Sequence, residues 1–308
     1  MLHVANLNKN NFCNIEKLKC AILGTGNIGT DLLIKLQRSK NLECTLFTGR
    51  NFESKGLKKA LCLGVNVSDE GIQAIINQAK KIDLVFDATS AAAHQLHWPI
   101  IESLEKLSIN MTPAKIGEIC IPAINVLEIY DKGCKNINMV TCGGQASVPI
   151  AHAISKVHRD IAYIEVVSSI SSQSAGPATR SNLDEYINST ENAILKFSGA
   201  KKAKAILILN PSTPEIDMQT TIYAKIKKPK IKEIFSSVNN IIKQIQEYLP
   251  GYKLILPPTL ISEDKFMLTI KVTGHGDYLP KYAGNLDIIN CAAVRIAEFM
   301  AYKSVALK

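Results

Sequence analysis

Apolar residues in the first half of the chain alternate between short continuous runs and helical spacing. Residues 18–23 (LKCAIL) form a run that predicts a strand, and residues 28–38 then repeat apolar side chains at helical spacing. Further runs predict strands at 42–48, 64–67, 82–87, 107–112 and 137–141, with helices near 54–63, 69–80 and 92–106 between them. Strands that alternate with helices in this way predict a parallel β-sheet.

The pattern changes after about residue 147. A predicted helix at 148–158 is followed by several strand-like segments and a long amphipathic helix. They are strands at 162–170, 203–209, 217–226 and 265–273, a helix at 231–248, and a closing helix at 286–301. We therefore predict an α/β protein whose first sheet is parallel and of the Rossmann type, with a second, mixed α+β domain.

Composition indicates an ordinary globular protein. The 308 residues, 46% hydrophobic and 20% charged, are enough for a sizeable core and for two domains. The eight cysteines include no C-x-x-C pair, which disfavours a zinc ribbon or a disulfide scaffold and fits a reducing compartment. The net charge of +9 comes largely from scattered lysines, so we expect a solvated surface and no nucleic-acid partner.

Signals for membrane targeting and for metal binding are weak. The first 15 residues are polar, and no stretch approaches the ~18 apolar residues of a membrane span, so we expect a soluble, cytoplasmic protein without a membrane partner. His94 and His97 lie close in sequence, but no third ligand accompanies them at a plausible spacing. We expect these histidines to be solvated or helix-capping, and we expect no metal.

A glycine-rich turn connects the first predicted strand to the first helix. The segment Gly24-Thr25-Gly26-Asn27-Ile28-Gly29 matches G-x-G-x-x-G, in which glycines permit a tight turn and bring the backbone close to a pyrophosphate at the helix N-terminus. This context predicts that residues 1–146, completed by a C-terminal helix at 285–308, bind a dinucleotide. Residues 147–284 would then form the α+β substrate and dimerisation domain.

The second predicted strand ends without the acidic residue that would bind the adenosine ribose. It runs into Thr48-Gly49-Arg50-Asn51, and the nearest carboxylate is Glu53. An arginine at this place can meet a 2′-phosphate. NADP therefore stays open beside NAD as the cofactor.

Cys142 lies just beyond a predicted strand and enters a turn of two glycines before a helix. Thiolates are stabilised at helix N-termini, where free N–H groups can also hold an oxyanion. A buried cysteine that only fills space is the alternative interpretation. Since open α/β sheets bind ligands beyond the carboxyl ends of their strands, Cys142 is the candidate nucleophile.

Several segments resemble the CoA-acylating acetaldehyde dehydrogenases, and the resemblance runs from about Lys19 to Ala301. The most specific motifs are TCGGQA (141–146) and SAGPATR (174–180). Others are GTGNIGTDLLIKL (24–36), DLVFDATSAAAH (83–94), KAILILNP (204–211) and YAGNLDIIN (282–290). The resemblance implies that Cys142 carries an acyl thioester and that coenzyme A is a co-substrate.

The resemblance also implies a nicotinamide pocket, a partner and a biological role. In this family the usual partner is a 4-hydroxy-2-oxovalerate aldolase, which passes acetaldehyde across the complex. The resemblance therefore implies a role in aromatic hydrocarbon catabolism. The resemblance is also consistent with assembly of this chain as a homodimer or as a hetero-oligomer with the aldolase. Arg180 either pairs with an anion or orders its loop. The implied cofactor-binding residues are Gly24, Thr25, Gly26, Asn27, Ile28, Gln173, Ser174, Ala175, Gly176, Pro177, Ala178, Thr179, Arg180, Ser181 and Asn285.

One position departs from the family pattern. Where the family has M-R-D-T, with the aspartate as a proposed general base, this chain has Met218-Gln219-Thr220-Thr221. Threonine cannot replace the basicity of a carboxylate. Asp217 is a poor substitute, because an offset of three residues places it on the opposite face of an unbulged strand from Thr220. The base is therefore water, another carboxylate, or unnecessary if coenzyme A arrives as a thiolate.

We predict from these features a CoA-acylating aldehyde dehydrogenase that converts acetaldehyde or a short homologue to acyl-CoA. A phosphorylating semialdehyde dehydrogenase, with a similar plan and cysteine, is the first alternative. A catalytically lapsed, cofactor-binding subunit of an aldolase complex is the second, motivated by Thr220 and the altered Thr48–Asn51 segment.

Overall fold

The first half of the described chain folds around a parallel β-sheet. The computed structural model describes residues 17–176, 180 and 182–306, residues 305 and 306 by their backbone alone. In this part of the chain, seven parallel strands have the order β3-β2-β1-β4-β5-β7-β6. They are β1 Leu18–Leu23, β2 Leu42–Thr48, β3 Val67–Ser68, β4 Leu84–Asp87, β5 Leu107–Asn110, β6 Glu118–Ile119 and β7 Asn136–Asn138.

The central strands of this sheet are buried on both faces. All four residues of β4 and the last four of β1 are buried, which is why these strands read as continuous apolar runs. The strand order reverses between β1 and β4, and a crevice for ligands opens at such a switch point. The helices connecting these strands are α1 Asn27–Arg38, α2 Lys55–Cys62, α3 Ile72–Asn77, α4 Ala91–Ser103 and α5 Pro122–Asp131.

Five further strands of the described chain form a mixed sheet in the order β11-β12-β10-β8-β9. Only β8 and β9 pair in parallel, and the other neighbours are antiparallel. Buried and more exposed residues alternate along β8 and β10, so one face of the sheet packs on the core. The strands are β8 Tyr163–Ser171, β9 Ala203–Asn210, β10 Met218–Lys225, β11 Tyr252–Ser262 and β12 Lys265–Val272, and the helices are α6 Cys142–Val157, α7 Leu183–Ser198 and α8 Ile231–Gln246.

The two sheets are joined by α6 and by the last helix, α9 Gly284–Ala306. The Tyr252 hydroxyl, at the start of β11, donates to the Ala146 carbonyl of α6 over 2.6 Å. Helix α9 packs against α1, and the Asn290 side-chain amide donates to the Ile28 carbonyl over 3.2 Å. The start of α9 is therefore held beside the start of α1.

A buried cluster of charges holds α1, α9 and the loop before α9 together. The Lys35 ammonium of α1 lies 2.6 Å from Asp31, 3.0 Å from Asp277 in that loop and 2.6 Å from Asp287 of α9. The Lys35 side chain is 7% exposed and none of the three carboxylate side chains exceeds 9%. Burying an ammonium is tolerable here because its charge is compensated at short range.

The predicted fold class is confirmed, and the differences are local. The hydrophobic pattern did not predict the two-residue strand β6, the helices α5 and α7, or the strand β11. Helix α7 is rich in Asn, Ser and Thr, which weaken helix propensity, and β11 contains Pro257 and Pro258, which disfavour a strand away from an edge. Cys142 begins α6 rather than preceding a helix that starts at 148. The division into residues 1–146 with 285–308 and residues 147–284 stays a prediction.

In the described residues, no helix combines the length and the apolar character needed to cross a membrane. The polar segment at residues 1–15, on which the expectation of a cytoplasmic protein partly rests, lies outside the described residues.

Replacing Lys35 by methionine should lower the free energy of unfolding by about 3–5 kcal/mol, because the buried carboxylates around it lose their compensating charge. Chemical denaturation followed by circular dichroism measures the change. Lys58→Met, which breaks an exposed pair with Glu53, is the matched control and should leave the unfolding midpoint nearly unchanged. Equal effects of the two substitutions would contradict a stabilising role of the buried cluster.

Candidate active site

Cys142 is the first residue of α6, and the preceding residues fix its position. The Thr141 hydroxyl caps the helix by accepting the Gly144 N–H over 2.9 Å. Val140 has φ of 41°, a strained conformation for a β-branched residue, and its N–H is held by the Asn138 side chain over 3.1 Å. This turn delivers Cys142 to the carboxyl edge of the parallel sheet.

The free N–H groups at the start of α6 are fewer than the sequence suggested. Those of Gly144 and Gln145 are used by the Thr141 hydroxyl and carbonyl. Burial raises the pKa of the Cys142 thiol, and the backbone N–H groups of Gly143 and Cys142 are among the groups that lower it. These two donors are therefore available to an oxyanion formed at Cys142.

Tyr186, on α7, contacts the Cys142 thiol and was not identified from the sequence. The Cys142 Sγ–H donates to the Tyr186 hydroxyl over 3.6 Å. A Cβ at position 143 would lie 2.2 Å from that hydroxyl oxygen, so glycine is needed there to admit the phenol. The first glycine of the Gly-Gly turn, Gly143, thus serves packing as well as helix initiation.

A chain of hydroxyl groups continues from Tyr186 into the second sheet. Ser168 of β8 hydrogen-bonds to the Tyr186 hydroxyl, and its Oγ lies 3.0 Å from Oγ1 of Thr220 in β10. Thr220 is fully buried. Thr220 occupies the position at which the family resemblance implies an aspartate. It is connected to Cys142 through two hydroxyl groups, those of Ser168 and Tyr186. Asp217 lies elsewhere, accepting from the Thr273 hydroxyl over 2.6 Å.

Both groups at the centre of the site are held in their neutral forms. Burial raises the pKa of the Cys142 thiol, although the Tyr186 hydroxyl and the two N–H groups lower it. Burial and the neighbouring Cys142 raise the pKa of Tyr186 well above its usual value. Among the described residues, neither a carboxylate nor a histidine is a hydrogen-bond partner of Cys142.

The glycine turn after β1 has the shape that a phosphate group needs. Gly24 has φ of +115°, and a Cβ there would lie 2.5 Å from the Ala88 carbonyl oxygen. Among the described residues, a Cβ on Gly26 would meet nothing within 4 Å, and no side chain caps α1. Open space in front of an uncapped helix N-terminus fits an anion such as a pyrophosphate.

The end of β2 supplies no carboxylate to the adjoining surface. Thr48 is buried and donates its hydroxyl to the Gly71 carbonyl over 3.2 Å. Arg50 is exposed, and Glu53 is paired with Lys58. The end of β2 is thus followed by an exposed arginine and not by a ribose-binding acid.

The loop after β8 meets the start of α9. The Asn285 amide donates to the Ser174 carbonyl over 3.4 Å, and its Oδ1 is buried without a hydrogen-bond partner in the described part of the chain. The Arg180 guanidinium donates to the Ala175 and Ser172 carbonyls over 3.0 and 2.9 Å, so it orders its own loop. Gln173 and Gly176 are exposed, and the predicted contacts Pro177, Ala178, Thr179 and Ser181 lie outside the described residues.

The expectation that His94 is solvated or helix-capping is wrong. His94 is fully buried, and the Nδ1 atoms of His94 and His97 both lie 2.9 Å from Oδ2 of Asp87, the last residue of β4. Burial acts to raise the pKa of Asp87, but hydrogen bonds from His94, His97 and Thr89 hold it well below its usual value. The two histidines thus fasten α4 to the end of its strand.

These features define a class of protein: a Rossmann-type parallel sheet joined to a second, mixed sheet, with a cysteine at a helix N-terminus between them. Residues 142–280 match the family model for the dimerisation domain of prokaryotic acetaldehyde dehydrogenase. The chain is 58% identical to an acetaldehyde dehydrogenase of Pectobacterium atrosepticum, over 97% of this chain and 98% of the relative. It is 53% identical to that of Spirochaeta aurantia, over 92% and 94%.

The chain therefore belongs to the acetaldehyde dehydrogenase family, and the family predicted from the sequence is confirmed. Among solved structures it is similar to aspartate semialdehyde dehydrogenase with NADP from Candida albicans, with a TM-score of 0.66 and 12% identity, covering 94% of this chain and 99% of that one. That likeness shows a shared fold.

Replacing Tyr186 by phenylalanine should raise the pKa of Cys142, because the thiolate loses a hydrogen bond worth about 1.5 kcal/mol or more, equivalent to about one pH unit. Alkylation of the Cys142 peptide by iodoacetamide, followed by mass spectrometry across pH, measures the change. Tyr163→Phe, which removes a hydroxyl bonded to Glu165, is the control. An unchanged alkylation profile in Tyr186→Phe would rule out this influence.

Replacing Asp87 by asparagine should destabilise the protein at pH 7 by about 1–3 kcal/mol, since two histidines lose an ionised partner. The pKa of Asp87 is lower in the folded protein, so its contribution is complete above the unfolded value of about 4 and is lost as the pH falls below it. Thermal unfolding at several pH values should show the gap closing in acid. The exposed Asp69→Asn control should show no such gap.

Proposed function

We propose that this protein oxidises acetaldehyde, or a short homologue, to the corresponding acyl-CoA through a thioester on Cys142. The observation that carries the proposal is the Cys142 thiol at the start of α6, facing two N–H groups and the Tyr186 hydroxyl. Sequence identity to acetaldehyde dehydrogenases over nearly the whole chain supports the substrate class.

A nicotinamide dinucleotide, when bound, accepts the hydride released from the aldehyde carbon. The uncapped N-terminus of α1 and the open space at Gly26 fit its pyrophosphate. The unpartnered, buried Oδ1 of Asn285 fits an N–H donor such as a carboxamide. The exposed Arg50 and the absence of a carboxylate at the end of β2 in the described chain favour acceptance of NADP beside NAD.

In the first step the Cys142 sulfur forms a bond to the aldehyde carbon while the carbonyl π bond breaks. The developing oxyanion receives the N–H groups of Cys142 and Gly143, and the Tyr186 hydroxyl is a third donor within reach. The thiol proton passes through the Tyr186 hydroxyl to the former carbonyl oxygen and gives a thiohemiacetal, whose O–H proton is lost to solvent as the hydride leaves. Loss of hydride from the carbon then leaves an acyl thioester on Cys142.

In the second step the coenzyme A thiolate attacks the thioester carbon and the Cys142 sulfur leaves. The Ser168 and Thr220 hydroxyls, which hydrogen-bond to each other, are too weakly basic to remove a proton at neutral pH. The proton of coenzyme A is therefore lost to solvent before attack. Acyl transfer should consequently accelerate as the pH approaches the thiol pKa of about 8.5.

Assembly with other chains is the remaining part of the proposal. The name of the matched domain supports dimerisation through residues 142–280. Strand β9 is at the edge of the second sheet, where Ile206 and Ile208 are 38% and 44% exposed, and it offers a surface for a second copy. A 4-hydroxy-2-oxovalerate aldolase partner rests on the family resemblance alone.

Purified protein should reduce NAD or NADP, measured by absorbance of the reduced cofactor, only when both acetaldehyde and coenzyme A are present. Cys142→Ser should lower turnover by about 10³-fold or more, because a serine hydroxyl without a base is a poor nucleophile. Acetyl-CoA is identified by mass spectrometry. Phosphate replaces coenzyme A in a parallel reaction, and its acceptance would favour a phosphorylating enzyme.

Cys62→Ser is the matched control, since Cys62 is exposed on α2. It should retain full activity. Near-normal turnover of Cys142→Ser would exclude the thioester mechanism, whereas cofactor binding without turnover of the unmodified protein would favour a catalytically lapsed subunit.

A further inference from the structure

A second cluster of ligand-type side chains lies where the loop before α9 meets that helix. It consists of His275 in the loop and Asp287 and Cys291 on α9, and we refer to it as the His-Asp-Cys cluster. His275 Nδ1 lies 2.8 Å from Asp287 Oδ2. Cys291 Sγ lies 3.6 Å from each of these two atoms. The cysteine and the nucleophile Cys142 belong to different helices.

The spacing of these atoms matches a tetrahedral metal site. Zinc binds sulfur at about 2.3 Å and nitrogen or oxygen at about 2.0 Å. At tetrahedral angles, these bond lengths place the sulfur about 3.5 Å from the nitrogen or the oxygen, and the nitrogen about 3.3 Å from the oxygen. The sulfur distances already have these values, and the nitrogen and oxygen need to separate by about half an ångström. A small rotation of the half-exposed His275 ring supplies that change.

The groups around the His-Asp-Cys cluster carry an excess of negative charge that a divalent cation would neutralise. Lys35 and Arg38 face three carboxylates, those of Asp31, Asp277 and Asp287, so one negative charge is in excess. A thiolate at Cys291 adds a second. A divalent cation therefore brings the sum of formal charges over these six groups to zero.

The surrounding groups support the ligands and leave one side accessible. The Asp287 Oδ1 is held by Lys35 over 2.6 Å, and Oδ2 accepts the His275 N–H over 3.0 Å, so Oδ2 is fixed for a single metal bond. A cavity of about 150 Å³ adjoins His275 and Cys291. It is large enough for water to complete a four-coordinate site.

We propose that His275, Asp287 and Cys291 bind a divalent transition-metal ion, with Zn²⁺ as the favoured ion. Soft thiolate and borderline imidazole ligands select zinc over Mg²⁺ or Ca²⁺. As the metal binds, the Cys291 thiol releases its proton to solvent, and the Nδ1 hydrogen that His275 shares with Asp287 is exchanged away through solvent, which leaves a neutral imidazole with its hydrogen on Nε2. The ion ties the loop before α9 to the first two turns of the helix that also carries Asn285, and its role is structural or regulatory rather than catalytic.

Cobalt(II) is the probe, because a bound thiolate gives a charge-transfer band in the near ultraviolet and tetrahedral ligands give strong visible bands. The titration uses chelator-treated, reduced full-length protein carrying Cys142→Ala, so that the nucleophilic thiol does not contribute. We expect one Co²⁺ per chain with both features, displaced by one equivalent of Zn²⁺. Zn²⁺ should also raise the unfolding temperature, since it binds the folded state.

Cys291→Ser should abolish the charge-transfer band, and His275→Gln should weaken Co²⁺ binding at least tenfold. Cys62→Ser, which alters an exposed thiol elsewhere, should bind as the unmodified protein does. The exposed position of His275 keeps the test valid if Cys291→Ser fails to fold. Absence of the band, or a band that survives both Cys291→Ser and His275→Gln, would overturn the proposal.

Discussion

The burial of the Lys35 ammonium among three carboxylates is the interaction on which the arrangement of α1, α9 and the loop before α9 depends. Lys35 lies on α1, which begins at the glycine turn. Asp287 lies on α9, close to Asn285, and Asp277 lies in the loop that connects β12 to α9. A buried charge has to keep its partners close, because leaving one uncompensated in the interior costs several kcal/mol. This requirement fixes the starts of α1 and α9 relative to each other.

The surroundings of Cys142 differ, because hydroxyl groups there take the place of charged partners. Cys142, Tyr186, Ser168 and Thr220 form a continuous polar chain in a buried region, and each member finds a neutral partner. Neutral hydrogen-bonded groups are far cheaper to bury than an unpaired carboxylate. The cost of this arrangement is basicity, since the thiol pKa is raised by burial and no carboxylate is among its described partners.

Some residues of the candidate site could be predicted from the sequence and others could not. The glycine turn and Cys142 are local features, because a strand, a glycine and a helix N-terminus lie within a few residues of each other, and their placement could be predicted from periodicity and turn chemistry. Tyr186 and Ser168 could not, since they lie 44 and 26 residues from Cys142 in sequence and reach it only through the packing of α7 and β8. His94 looked solvated because its partner Asp87 belongs to another element.

The sequence alone determined the alternation of strands and helices, the parallel sheet, the turn that can receive a dinucleotide and the family, since each depends on periodicity or on contiguous motifs. Only the tertiary structure decided which side chains meet. It placed Thr220 at the end of a hydroxyl chain, directed Arg180 to its own loop and gathered His275, Asp287 and Cys291 beside the Lys35 cluster. Such contacts join residues distant in sequence, and the chain pattern carries no record of which distant elements pack together.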